Sequence, residues 1–355
     1  MELRTYKRTL KRTVCNYHAY VLKGLLKYLE TEKLVRYDGR SKENPKVLDI
    51  TRFSDDKSKM IEIFDRLSSV YKKCEEFEYM KAYRYCYLYR ISNVDYTRVN
   101  EYISNNKAIM FANNKKLQDE MSLIIQSPTV KEEEDKLYLK FSLKLESKLA
   151  GKDAMKHVVL AVIHKKNGLL EIREDIIPTV YNALNNSYEI YARSAKGFIQ
   201  EMLRAEINSL DLQSVIRHMK NKKKEEVKVT SIKFRRNGSE ALLDGSNNDN
   251  LELPILDELK NILKEDIFDK DDNNVKTIKD RLTLFIREIE EVSDLPAARI
   301  LWLEQNHMVE IFQGETENEL GYLKWRGELK GKESMDYVTE YIMQCERDIK
   351  EELDT

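Results

Sequence analysis

The apolar positions of this chain change their period from segment to segment. Residues 158–163 are six apolar residues in a row, rich in valine, and Lys165-Lys166-Asn167-Gly168 follows before Leu169, Leu170 and Ile172. β-Branched residues suit a packed pleated surface, and the run is short for a helix. Asn-Gly best tolerates the two positive φ angles of a type I′ turn. The stretch therefore predicts a two-stranded antiparallel hairpin, its first strand buried on both faces and Lys165 and Lys166 near its tip. Residues 137–145 alternate, with Leu137, Leu139, Phe141, Leu143 and Leu145 on one side. They predict a half-buried strand of the same antiparallel sheet. In residues 82–90, Tyr83, Tyr85, Tyr87 and Tyr89 alternate with other residues. Period two predicts a strand with a tyrosine-lined core face and with Arg84 and Arg90 opposite.

Two further hairpins are expected. Ile232 and Phe234 precede Asn237-Gly238, with Leu242 and Leu243 after, and residues 299–312 reverse at Asn306. The three asparagines lie 70 and 69 residues apart, and helical sequence follows each hairpin. That is the pattern of a degenerate repeat of about 70 residues. Helical spacing fills much of the rest, in residues 9–30, 59–80, 95–105, 116–125, 177–218, 252–264, 277–292 and 334–352. Residues 34–37 and 47–50 flank a polar tip after the first helix and predict a hairpin placed like the wing of a winged-helix module. The expected fold is α+β. A mostly helical N-terminal region, residues 1–130, has a winged-helix-like start, and an α+β domain with three hairpins follows over residues 131–355.

Composition narrows the function classes. Apolar residues make up 41% of the chain, enough for real cores, so wholesale disorder is excluded. Charged residues reach 35%, yet the net charge is −1, so any surface for a polyanion must come from local segregation of charge. The four cysteines form no CxxC, so no metal site is expected and the thiols read as reduced, in a cytoplasmic protein. The N-terminus lacks the apolar core of a secretory signal, and no apolar run is long enough to span a bilayer. The GxxxxGK, GxGxxG and GxSxG patterns are missing, and no cofactor is expected.

Basic residues gather at a few places: Arg8, Lys11 and Arg12 on the first helix, Lys165 and Lys166, Lys222, Lys223 and Lys224, and Arg235 and Arg236. Lysines and arginines at loop tips contact phosphates without reading bases. The leading expectation is a non-catalytic nucleic-acid-binding accessory or subunit protein, with DNA ahead of RNA and with a protein partner or a second copy of itself. Its Lys-, Ile-, Asn- and Tyr-rich usage resembles that of AT-rich bacteria and their mobile elements, which suggests genome defence. A second reading is a nuclease, in which Glu310 and Glu328 hold Mg2+ that activates a water and Lys330 positions that water. Glu-x-Lys also occurs at Glu146-Ser147-Lys148, so the motif has little specificity. A third reading is a scaffold that docks a partner on amphipathic helices such as residues 277–292.

Overall fold

The computed structural model describes residues 3–37, 47–111, 117, 121–149, 151–181, 187–245, 254–264, 273–314, 320–327 and 331–354. In chain order the first elements are α1 (Leu3–Cys15), α2 (Ala19–Thr31), β1 (Val35–Arg36), β2 (Leu48–Asp49), α3 (Asp56–Arg66), α4 (Val70–Phe77), β3 (Tyr85–Ser92) and α5 (Arg98–Ser104). Next come β4 (Ile109–Met110), β5 (Thr129–Glu132), β6 (Lys136–Leu145), β7 (Met155–His164), β8 (Leu169–Glu174), α6 (Ser187–Leu203) and β9 (Glu206–Ser209). The chain continues with α7 (Leu212–Lys222), β10 (Val227–Arg236), β11 (Ser239–Asp244), α8 (Pro254–Ile262), α9 (Asn273–Val292), β12 (Asp294–Trp302), β13 (His307–Phe312), β14 (Tyr322–Trp325) and α10 (Lys332–Asp354). The fold is α+β, as the patterning predicts.

The chain forms two compact units, residues 1–210 with 325–341, and residues 211–324 with 342–355. The division does not fall near residue 130. Strand β3 pairs with β8, and α1 packs on β7, so the N-terminal elements share a core with the strands that follow.

In the first unit the strand order is β3-β8-β7-β6-β5-β4, with β9 also paired to β3. All these pairs are antiparallel except β4 with β5. One face carries Leu137, Leu139, Phe141, Val159, Ala161, Ile163, Leu170, Ile172, Tyr87 and Tyr89, all buried. Helix α6 covers it, with Phe198 edge-on to Phe141 at 5.3 Å and Tyr188 against Tyr85 at 4.8 Å. The tyrosine stripe is thus a core face. The opposite face carries Lys140, Lys156, His164, Glu171 and Arg173, and these are buried too. Strand β6 is therefore packed on both sides rather than half-buried.

Several local expectations change. Residues 9–30 form two helices, α1 and α2, separated at Asn16, Tyr17 and His18. Residues 59–80 split into α3 and α4, and α3 starts at an Asp55 cap whose carboxylate accepts the Ser58 N–H at 2.8 Å. Strands β1 and β2 pair in parallel, whereas a wing is an antiparallel hairpin. Among the described residues no antiparallel wing is formed at this point. Residues 121–125 are not helical, and β9 interrupts the helical stretch before α7.

The first hairpin turns through four residues, 165–168, closed by the Gly168 N–H on the His164 carbonyl at 3.1 Å, and only Gly168 has positive φ there. The type I′ turn expected at Asn167-Gly168 forms instead at Asn237-Gly238, where both residues have positive φ. The loop at Asn306 again spans four residues with the left-handed one last.

The second unit has the strand order β11-β10-β12-β13-β14. Helix α7 packs on β10, β12 and β13, burying Val215, Ile216, Ile300, Trp302, Val309 and Ile311. Helices α8 and α9 form a small core of Leu256, Leu263 and Ile286, flanked by Leu259, Leu282 and Ile289. The hairpins β10–β11 and β12–β13 are sheet neighbours here, while β7–β8 lies in the other unit. No helix among the described residues is long and apolar enough to cross a membrane.

A candidate anion-binding groove

Helix α2 has two faces with different fates. Val21, Leu22, Leu25, Leu26 and Leu29 are buried in the core beneath it. Tyr20, Lys23, Gly24 and Lys27 stand at i, i+3, i+4 and i+7, which places them on one stripe. This stripe is one wall of a cavity of about 390 Å³. Phe77, Met80, Lys81 and Ala82, from the end of α4 and the turn beyond it, line it as well, together with Gly331. Gly24 presents no side chain to this space, and a Cβ there would meet the Phe77 ring at 3.5 Å, an ordinary van der Waals contact. The volume falls in the range of small-ligand sites.

The lining is cationic and aromatic. Lys23 and Lys27 are exposed and make no ion pair among the described residues. Lys81 lies deeper, paired with Asp175 and 4.2 Å from the centre of the Tyr83 ring. Tyr20 stacks on His18 at 5.6 Å with nearly parallel rings, and its hydroxyl accepts from Arg84 Nη2 at 2.9 Å. Arg84 Nη1 donates to the Trp325 carbonyl at 2.7 Å, which fixes the guanidinium behind Tyr20. Burial pushes the Tyr20 hydroxyl pKa up despite the neighbouring Arg84, so the phenol stays neutral. A cavity lined by two uncompensated lysines together with Tyr20 and Phe77 suits an anion attached to a flat apolar body.

The basic residues read from the sequence are mostly paired already. Arg8 and Arg12 both hold Asp153, and Lys11 holds Asp65 at 2.5 Å. Lys165 bonds Glu132 at 2.6 Å, and Lys166 bonds Asp135 at 2.7 Å. Lys222 faces Glu352 at 3.7 Å, Lys223 bonds Asp348 at 2.9 Å, and Arg235 bonds Glu240 at 3.1 Å. Lys224 and Arg236 make no ion pair among the described residues. Exposed pairs of this kind are worth about 0–1 kcal/mol each, so a phosphate could displace the acids, but each pair is nearly neutral and projects little field. Lys165 and Lys166 belong to one unit, and Lys222 to Lys224, Arg235 and Arg236 to the other.

For the nuclease reading, Glu310 sits on β13, mostly buried, where Arg299 donates to its Oε1 at 3.1 and 3.2 Å. Glu328 and Lys330 lie outside the described residues. A different trio, His164, Glu171 and Asp336, brings its ligand atoms within 4.8 Å of one another. Those atoms are already engaged. His164 Nε2 is 2.5 Å from Glu171 Oε1, Arg173 bridges Glu171 and Asp336 at 2.7 and 2.6 Å, and Lys136 bonds Asp336 at 2.7 Å. Burial alone would push the Glu171 carboxyl up, but Arg173 and His164 together hold it well below the usual carboxylate range. The trio is thus an internal ion-pair network that a cation would have to break. All four cysteines are buried free thiols.

Sequence reading did not single out the groove, although the signal was present: a glycine inside a helix, flanked on its own stripe by a tyrosine and two lysines. No family model matches the chain, and a comparison with curated proteins returns no match.

Proposed function

We propose that this protein is a non-catalytic nucleic-acid-binding subunit of the cytoplasm that holds a single-stranded segment by its phosphates in the groove beside α2. The observation that carries the reading is the pair of exposed, uncompensated lysines, Lys23 and Lys27, one helical turn apart on a cavity that Tyr20 and Phe77 also line. Ammonium groups one turn apart match a backbone that presents successive phosphates, and aromatic rings beside them stack on bases without choosing among them. A cleft of this size admits a nucleotide rather than a double helix, which favours single strands over duplex. The basic hairpin tips and α1 serve as secondary contacts, since their charges are shared with acids. Residue usage is the sole support for a bacterial or mobile-element setting. The nuclease alternative gains nothing from Glu310, which is held by Arg299.

Fluorescence anisotropy with labelled single-stranded and duplex DNA tests the reading. Wild-type protein is expected to prefer the single strand, and Lys23→Glu/Lys27→Glu to weaken it by about tenfold or more at low salt. Charge reversal of Lys165 and Lys166, or of Arg235 and Arg236, should weaken it less. Unchanged affinity in the groove variant overturns the assignment.

A further inference from the structure

Helix α9 of the second unit has a face that the described residues leave exposed. Leu282, Ile286 and Ile289 pack toward α8. Arg281, Leu284, Phe285 and Glu288 stand at i, i+3, i+4 and i+7 on a neighbouring stripe. Leu284 is 55% exposed and Phe285 50%, and Ile278, one turn before, is 52% exposed. Isolated exposed apolar residues need no explanation, but a phenylalanine and two aliphatics clustered on one helix face mark a contact surface.

The stripe is complementary to itself. Arg281 and Glu288 are both exposed, and neither makes an ion pair within the chain among the described residues. They lie symmetrically about the midpoint between Leu284 and Phe285. A two-fold axis through that midpoint sets Arg281 opposite Glu288 of a second copy, twice over, and Leu284 opposite Phe285. A parallel pairing would instead bring arginine to arginine and glutamate to glutamate. An isologous contact requires a surface that fits its own copy in this way.

We propose that the protein self-associates as a two-fold dimer in which α9 packs antiparallel against α9 of a second copy, with Leu284 and Phe285 at the centre and two Arg281–Glu288 ion pairs flanking them. This reading is independent of the groove beside α2. Sedimentation velocity over a micromolar concentration series tests it on the full chain. Wild type is expected to move from monomer to dimer as concentration rises. Arg281→Glu and Glu288→Arg, each on its own, should stay monomeric, because each sets like charges against each other. An equimolar mixture of the two single variants should regain a dimer, and so should the doubly swapped chain, which a merely misfolded variant would not do. A wild type that stays monomeric throughout, single variants that still dimerise, or a mixture that stays monomeric would each overturn the proposal.

Discussion

Glu78 is the test of how the first unit tolerates its buried lysines. Its Oε2 accepts from Lys140 at 2.9 Å and from Lys156 at 2.7 Å, and all three side chains are essentially without solvent contact. Lys140 also donates to the Glu75 carbonyl at 3.0 Å, and Lys156 lies 3.3 Å from the Tyr6 hydroxyl. In Glu78→Gln the shape and one acceptor remain, but two ammonium groups share no carboxylate at that point. Removing one partner of a buried ion pair costs about 3–5 kcal/mol. An upper bound comes from the escape route of releasing a proton. Neutralising a lysine of ordinary pKa near 10.4 at pH 7 costs about 4.6 kcal/mol, at 1.36 kcal/mol for each of about 3.4 pH units. The expected loss is therefore about 3–4.6 kcal/mol, a large part of the stability of an ordinary domain. It should shrink as pH rises toward 10, because the unfolded chain then ceases to bind the extra proton. Urea denaturation followed by circular dichroism between about pH 7 and 10 measures both. Replacing the three charges together, as Glu78→Leu with Lys140→Met and Lys156→Met, should recover most of the loss. A loss below about 1 kcal/mol for Glu78→Gln, or one independent of pH, would refute the reasoning.

Three further outcomes follow from single sites. Burial pushes the Glu174 carboxyl well above its usual range and holds the His157 beside it, 3.3 Å away, neutral with a pKa lowered to about 4. A raised carboxyl gives its full stability below about pH 4.3 and loses it as pH rises toward the raised value, so Glu174→Gln should raise Tm more at pH 8 than at pH 5. The neutral histidine has the opposite slope, losing stability as pH falls from about 6.5 toward 4, and it cancels between the two proteins; equal Tm differences at both pH values would count against a protonated Glu174. Gly168 has φ +61°, and a Cβ there would lie 2.9 Å from the Ile91 carbonyl oxygen, while Gly238 at φ +75° has nothing within 4 Å. Gly168→Ala should thus cost about 2 kcal/mol or more by chemical denaturation, and Gly238→Ala only about 1. Gly24→Ala should stabilise α2 by about 0.5–1 kcal/mol, and Gly24→Trp should fill the groove and remove nucleic-acid binding without unfolding the helix, as measured by anisotropy alongside circular dichroism.

The parts of the fold legible in the sequence are those fixed by local periodicity. The valine run of β7, the leucine face of β6 and the tyrosine face of β3 all lie where alternation puts them. The polar face of the same strands was not legible. A lysine in a strand reads as exposed because burying an ammonium group costs so much, and Lys140 is buried only because Glu78 lies 62 residues upstream in sequence and beside it in space. Periodicity does not report such a partner. Periodicity predicts one helix over residues 9–30 because neither glycine nor proline marks the break at Asn16 to His18. The wing failed for a related reason: the spacing of residues 34–50 permits two short strands but does not fix their direction. The site was half legible. Basic residues announce themselves, yet Asp153, Glu132, Asp135 and Glu240, which pair with them, come close only in the fold.

The central claim is that Lys23 and Lys27 neutralise phosphates, and the salt dependence of binding tests it most directly. The slope of log K against log salt for a single strand is about −0.7 for each phosphate neutralised. Lys23→Gln/Lys27→Gln should therefore flatten the wild-type slope by about 1.4, while Lys165→Gln/Lys166→Gln flattens it less. A groove variant with the wild-type slope, or no binding by the wild type at low salt, would contradict the account.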